Sequence, residues 1–359
     1  MSRPSGFTRR RVPLLAGVGL VGALLLSACG SATVSSSSTS SQAPTSAAVS
    51  AAAEASSGAS GDIKIGFISK TETNPFFVKM KEGALKAADE AGVQLLTATG
   101  KFDGDNESQI TAIENMTAEG VKGILLAPSD SKAIVPAVEA ARNAGVVVIV
   151  LDSPLDPQDA SDALFATDNA KAGLLIGEWA KAKFAGKPAT IATLDYTPGV
   201  AVGTLRHDGF LEGFGISEDD PSIVCSQDSG GDQAKGQTVM ENCLQGNPDI
   251  NLVYTINEPA ALGAYTAIEA AGKQNDITIV SVDGGCTGIG GVVDGKIDAT
   301  SQQFPLLMAQ KGVEALVGYA NGGPKPTGYT DTGVKLITND PQAGVTSEDT
   351  ASGLENCWG

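Results

Sequence analysis

The chain has 359 residues, with 24 Lys+Arg against 41 Asp+Glu, one histidine and five cysteines, for a formal charge of −17. At roughly 100–200 residues per domain the length suggests two domains, and the acidic balance argues against nucleic acid or an anionic membrane surface as partner, because both need clustered Lys/Arg. The single histidine, His207, excludes His-rich metal sites and leaves one candidate base for a Ser-His-Asp or Cys-His machine, so an enzyme would have to work through carboxylates; no metal and no cofactor is expected.

Residues 1–28 hold no acid and four arginines, Arg3, Arg9, Arg10 and Arg11, followed by an apolar run from Val12 to Leu26. A basic stretch, a short apolar stretch and small residues before a cut site describe a secretory signal. The run is too short to span a bilayer comfortably, which takes ~20 apolar residues. Leu26-Ser27-Ala28-Cys29 resembles the bacterial lipobox, which implies acylation of Cys29; an ordinary signal peptide that contains Cys29 is the alternative. Thr8-Arg9-Arg10-Arg11 resembles a twin-arginine signal only in part. Removing 1–28 leaves 20 basic against 41 acidic residues. Residues 29–61 are almost entirely small and polar, with too little apolar surface to offset their ordering entropy, so they read as a flexible tether, and the fold starts near Asp62. The expectation is an extracytoplasmic protein that touches the cell membrane only through its N-terminal lipid.

Short apolar runs then recur between helix-like stretches. They begin near Ile63, Val93, Lys122 and Val146, and again near Ala189, Ser222, Leu252 and Ile277. Between them, Phe77–Ala91, Glu107–Glu119, Lys132–Asn143, Ala170–Phe184, Gln233–Gln245 and Pro259–Ala271 space apolar residues by three and four. Alternating strand and helix reads as βαβ units building a parallel sheet. The rhythm runs twice, with a break around Phe165–Asn169, which predicts an α/β protein of two doubly wound domains. Ligands of such sheets bind outside the carboxyl ends of the strands. Here those ends carry Ser69–Asn74, Asp103, Pro128–Asp130, Asp152, Asp195–Tyr196, Gln227–Asp228, Asn257–Glu258 and Asp283. For any one such residue, capping the next helix is the preferred reading; eight together predict a polar cleft.

With Cys29 assigned to lipid, Cys225, Cys243, Cys286 and Cys357 remain, and an even count in an exported protein suggests two disulfides. Of three pairings, the favoured one joins Cys225 to Cys243, closing a short loop, and Cys286 to Cys357, pinning Asn356-Cys357-Trp358-Gly359. Zinc competes, but no pair has C-x-x-C spacing.

Thr73-Asn74-Pro75-Phe76-Phe77 resembles the N-P-F-F signature of the ribose-binding branch of periplasmic sugar-binding proteins. Further matches follow in the same order: Leu151-Asp152, Thr167-Asp168-Asn169, Arg206-x-x-Gly209-Phe210, Asn257-Glu258-Pro259, Val282-Asp283-Gly284 and Thr300-Ser301-Gln302-Gln303-Phe304-Pro305. The resemblance covers Asp62 to about Thr338, and runs such as Leu205-Arg-His-Asp-Gly-Phe look most like fructose-type binding components of ABC importers. It implies a type I periplasmic binding protein fold: two α/β lobes joined by three crossovers, near Thr167–Asn169, Ser301–Gln303 and Gly333–Ile337, closing on one sugar. The N-terminal lobe would take 62–166 plus 304–334 and the C-terminal lobe 167–303 plus 335–359, which puts Cys286 and Cys357 in one lobe and supports their pairing.

A sugar presents hydroxyls that both donate and accept, and apolar C–H faces. Asp152 and Asp283 would accept, Arg206 would donate in a fork, Asn74, Asn257 and Gln303 would do both, and Phe76 or Phe77 would cover a ring face. The alternatives are helix caps for the two acids, a surface ion pair for Arg206, and core packing for either Phe. The chain departs from the ribose-type pattern at Ser153, where that pattern has Arg, and at Gly231, where it has an aromatic before Asp-x-x-x-Gly. Those losses point to a sugar other than ribose, fructose-like first, with Lys70, Glu72, Tyr196 and Glu258 near enough by topology to compensate. The expected role is delivery of a monosaccharide, by a monomer, to an ABC permease and its ATPase subunits; a sensor feeding a membrane kinase is the alternative. A lactose-repressor-type regulator would need an N-terminal basic helix-turn-helix, and a glycosidase would need two carboxyls flanking one bond.

Overall fold

The computed structural model describes residues 63–359, so the signal segment, Cys29 and the tether lie outside the described residues. The first sheet begins with β1 (Lys64–Ser69), α1 (Pro75–Ala91), β2 (Gln94–Thr99), α2 (Asn106–Ala118), β3 (Gly123–Leu126), α3 (Val135–Asn143), β4 (Val147–Leu151) and β5 (Ala163–Ala166). The chain then crosses at 167–168 into α4 (Asn169–Lys183), β6 (Ile191–Asp195), α5 (Ala201–Phe214), β7 (Ile223–Asp228), α6 (Gln233–Gly246), β8 (Leu252–Thr255), α7 (Glu258–Ala270), β9 (Thr278–Asp283), α8 (Cys286–Val293) and β10 (Ala299–Gln302). It returns through 303–304 to α9 (Pro305–Ala320) and β11 (Gly328–Asp331), and crosses a third time at 332–334 to β12 (Lys335–Thr338) and α10 (Thr350–Asn356).

The strand orders are β11-β5-β4-β3-β1-β2 and β12-β10-β9-β8-β6-β7. All pairs are parallel except β12 against β10. The expected architecture, two doubly wound lobes and three crossovers, is the architecture found. In each sheet the order reverses beside the first strand of its set, β1 or β6, and the crevice at such a switch point is where open α/β sheets hold ligands. The central strands of each sheet are buried on both faces, which is why they read as continuous apolar runs: β3 and β4, for example, are buried at every position. Helix α9 closes one face of the first sheet, with Met308, Ala309, Val313 and Leu316 packed among Phe76, Met80 and Ala84.

Helix starts follow local chemistry. Asn74 caps α1 by accepting from Phe76 N at 3.0 Å, with Pro75 in the first turn. The third helix starts at Val135 instead of Lys132, with Pro136 in its first turn, where a missing N–H costs nothing. Helix α5 was not expected, because Gly203, Gly209 and Gly213 lower its helix propensity. The last two of these glycines face Ala170 O and Leu174 O of α4, and Gly173 and Gly177 of α4 face Arg206 O and Phe210 O. A Cβ at any of the four would collide with backbone, so close approach of the two helices requires glycine there. Among the described residues no helix is long and apolar enough to cross a membrane.

Candidate functional site

The carboxyl ends of both sheets face one small chamber, a cavity of about 20 Å³. Its walls are Lys70, Asn74, Phe76, Phe77 and Asp152 from the first lobe, Tyr196, Val202, Arg206, Asn257 and Asp283 from the second, and Gln303 from a crossover. Of the expected contacts the structure brings all together here except Glu72 and Glu258, and it adds Val202.

Asp152 and Asp283 are the only non-glycine residues with positive φ among the described residues, at 68° and 151°. Such conformations cost on the order of 1–3 kcal/mol and persist where surrounding structure enforces them. Each carboxylate is turned out of its strand end toward Arg206, whose nitrogens lie 3.9 Å from Asp152 Oδ1 and 3.8 Å from Asp283 Oδ1. Arg206 is fixed from behind: its Nε donates to Asn169 Oδ1 at 2.8 Å and its Nη1 to Ile256 O at 3.0 Å. It is buried in the site, not paired with Asp208 or Glu212 at the surface. Gln303 Nε2 donates to Asp283 Oδ1 at 2.8 Å. Lys70 Nζ donates to Asp152 Oδ2 at 3.4 Å and sits between the rings of Phe77 and Tyr196, 5.3 and 5.2 Å from their centroids.

After these bonds are made, Asp152 Oδ1 and Gln303 Oε1 remain buried without a hydrogen-bond partner. Buried polar groups are ordinarily bonded. Acceptors and donors are thus interleaved around one small space with Phe76 and Phe77 on its wall, their planes 88° apart. That arrangement complements a polyhydroxylated molecule with an apolar face. Asn257 is more committed, since its Oδ1 accepts from Ala260 N at 3.1 Å and its Nδ2 donates to Gly231 O at 3.0 Å.

Glu258 differs from expectation. Its carboxylate accepts from Gly284 N at 2.8 Å, Gly285 N at 2.9 Å and the Thr300 hydroxyl at 2.8 Å, so it braces the loop that carries Asp283 and does not face the chamber. Burial pushes Glu258 upward, reinforced by the Asp283 charge and opposed by the donors it accepts from. Burial likewise pushes Asp283 up, to about 6, against the pull of Arg206. Glu72 pairs with Lys81 at 2.8 Å on the surface, outside the chamber. Tyr196 is raised by burial and by Asp103, which lies across the cleft from it.

The two departures from the ribose-type pattern have structural partners. Ser153 Oγ accepts from Val202 N at 3.2 Å, a bond from one lobe to the other. Gly231 has φ 66°, and a Cβ there would stand 2.6 Å from Tyr196 Cε2; the Tyr196 ring occupies the space a side chain at 231 would need. Trp358 was outside the expected site, yet its ring lies 5.4 Å from Phe76 and its Nε1 donates to Gln303 O at 2.8 Å, so it backs two chamber walls. It is held there by the Cys286–Cys357 disulfide and by the bond from Cys286 N to Trp358 O at 2.9 Å. The other disulfide joins Cys225 to Cys243 on the second lobe. The nearest sequence signal for Trp358 was its position beside Cys357.

Residues 65–324 match the periplasmic binding protein domain family. The chain is 36% identical over 259 residues to the ribose import binding protein RbsB of Bacillus subtilis, covering 72% of this chain and 82% of that protein. Among solved structures it is similar to a galactofuranose binding protein, with TM-score 0.74 and 27% identity, covering 82% of this chain and 97% of that one. A Mycobacterium smegmatis protein in complex with β-D-fucofuranose gives TM-score 0.71 at 30% identity, covering 77% of this chain and 91% of that one. With this fold, this interlobe chamber and these matches, the chain belongs to the periplasmic binding protein domain family, whose members found here are sugar-binding proteins and not enzymes.

Proposed function

We propose that the protein is the extracytoplasmic binding component of an ABC sugar importer, capturing one monosaccharide in the interlobe chamber and presenting it to a permease. The observation that carries this reading is the ring of Asp152, Asp283, Arg206, Asn74 and Gln303 around the chamber, with unpartnered Asp152 Oδ1 and Gln303 Oε1 inside it. Asp152 and Gln303 accept from sugar hydroxyls, Arg206, Lys70 and Asn74 donate, Phe76 and Phe77 cover a C–H face, and Tyr196 and Asn257 complete the wall. Contacts from both lobes favour the closed form, and such differential contact is what lets a ligand shift an open–closed equilibrium. The lobes comprise 62–166 plus 304–334 and 167–303 plus 335–359.

The preferred sugar in this reading is D-fructose. Ser153 spends its hydroxyl on Val202 N and does not present a cationic fork, and the aromatic wall comes from Tyr196 in place of 231, so the hydroxyl pattern served differs from that of ribose. The protein acts as a monomer tethered through acylated Cys29. Titration calorimetry against D-fructose, D-ribose, D-xylose, D-galactose, D-glucose, L-arabinose and myo-inositol tests the ligand; no heat with any of them refutes the monosaccharide reading, and tight ribose binding with silent fructose refutes the fructose assignment. Metabolic labelling with a palmitate analogue tests the anchor, with labelling abolished by Cys29→Ala.

A further inference from the structure

We infer that Ser131 and Ser153 are positioning residues that set sugar affinity without touching the sugar, by capping helix α5 across the cleft. The first N–H groups of a helix have no partner within it. In α5 the residue at the cap position is Val200, whose side chain has no acceptor, and no side-chain cap is made within its own lobe. The acceptors come from the other lobe: Ala201 N donates to Ser131 Oγ at 3.1 Å and Val202 N to Ser153 Oγ at 3.2 Å. A third bond crosses in the opposite sense, with Ser131 N donating to Gly199 O at 2.9 Å. Ser131 follows β3 and Ser153 follows β4, whereas α5 belongs to the second lobe. Both serines are buried, and neither lines the chamber.

The caps matter to the site because α5 carries Val202 and Arg206 on the chamber wall. The lobes are joined only by the three crossovers, so these bonds form as the lobes come together and are exchanged for water as they part. They therefore add to the closed state alone, and any group that favours the binding-competent state raises apparent affinity. This inference rests on the proposed sugar reading. Replacing a capping serine by alanine costs about 1 kcal/mol, which at 1.4 kcal/mol per tenfold is about fivefold in Kd for each serine and about twenty-fivefold together.

The test compares wild type, Ser131→Ala, Ser153→Ala, the double variant and Ser131→Thr. The titrant is whichever of D-fructose, D-ribose, D-xylose, D-galactose, D-glucose, L-arabinose and myo-inositol wild type binds most tightly. The alanine variants should weaken binding by the stated factors, with the loss in dissociation rate, while the sugar-free melting temperature stays within about a degree of wild type and Ser131→Thr stays within about twofold of wild-type affinity. A double variant that binds as tightly as wild type, or one whose sugar-free protein loses stability in proportion to its affinity, overturns the inference. Wild type that binds none of the seven contradicts the sugar reading and takes the inference with it.

Discussion

Asp283→Asn should move stability and affinity in opposite directions. The Asp283 carboxylate is buried and raised to about 6 from an ordinary value of 3.8, with burial the largest cause and Arg206 opposing it. A raised carboxylate contributes most below its unfolded value and loses that contribution as pH climbs toward its folded value. At about 1.4 kcal/mol for each tenfold, keeping Asp283 ionised in the fold costs about 3 kcal/mol at pH 7. Asparagine has the same shape and removes that cost. Its Oδ1 still accepts from Gln303 Nε2, and only the long 3.3 Å bond from Glu258 N is lost, worth about 1 kcal/mol. The net gain is about 2 kcal/mol, or about 4 °C in melting temperature for a chain of this size. Asp283 also holds Arg206 and Gln303 toward the chamber, and losing one charged hydrogen-bond partner costs about 1.5–3 kcal/mol, so sugar affinity should fall ten- to a hundredfold. Scanning calorimetry at pH 7 and pH 4 reads the first effect, which should vanish at pH 4, and titration calorimetry reads the second. An asparagine variant that is less stable than wild type at pH 7, or that binds sugar equally well, refutes the reasoning.

His207 gives a second pH signature. Burial would hold it down, but the hydrogen bonds and charges of Asp195 and Glu218, each at 2.6 Å, push it up to about 9 from 6.5. Its contribution is therefore complete below pH 6.5 and lost as pH rises through about 9. Allowing for screening of the exposed Glu218, unfolding free energy should drop by about 2 kcal/mol over that window, and His207→Gln should remove the drop; a wild-type curve parallel to that of the variant contradicts the assignment. Gly231→Ala should lower stability by about 1–2 kcal/mol, because φ 66° is strained for alanine and its Cβ would meet Tyr196 and Asn257 at 2.6 and 2.8 Å; chemical denaturation checks it, and an unchanged midpoint counts against the close packing of that wall. Of the two tryptophans, Trp179 lies in the second-lobe core and donates to Asp340 O, while Trp358 touches Phe76 and Gln303. Sugar should change the emission of Trp179→Phe protein and leave that of Trp358→Phe protein unaltered; the reverse pattern would remove Trp358 from the chamber wall.

The repeated strand–helix rhythm was legible because both sheets are buried on two faces, which turns their central strands into apolar runs such as Val147–Leu151. The short strand β10 was not legible as a strand, since Ala299–Gln302 is a polar sequence whose burial comes from tertiary contacts. Helix α5 was hidden by glycines that serve the contact with α4, a reason visible only once the two helices are side by side. At the site, residues at strand ends could be listed from sequence, yet their directions could not. Asn257 and Glu258 are adjacent in sequence and opposite in role: one completes the chamber wall as a helix cap, the other turns to the Gly284–Gly285 backbone. Ser153, read as a lost donor, proves to be an acceptor for the opposite lobe. Sequence spacing carries no information about a bond formed between lobes.

The most direct test of the central claim is a crystal structure of the protein grown with the tightest-binding sugar of the calorimetric panel. The account predicts one sugar ring between the lobes, a C–H face against Phe76 or Phe77, and hydroxyls bonded to Asp152 Oδ1, Gln303 Oε1 and Arg206. A sugar bound to one lobe alone, or outside this chamber, would contradict it.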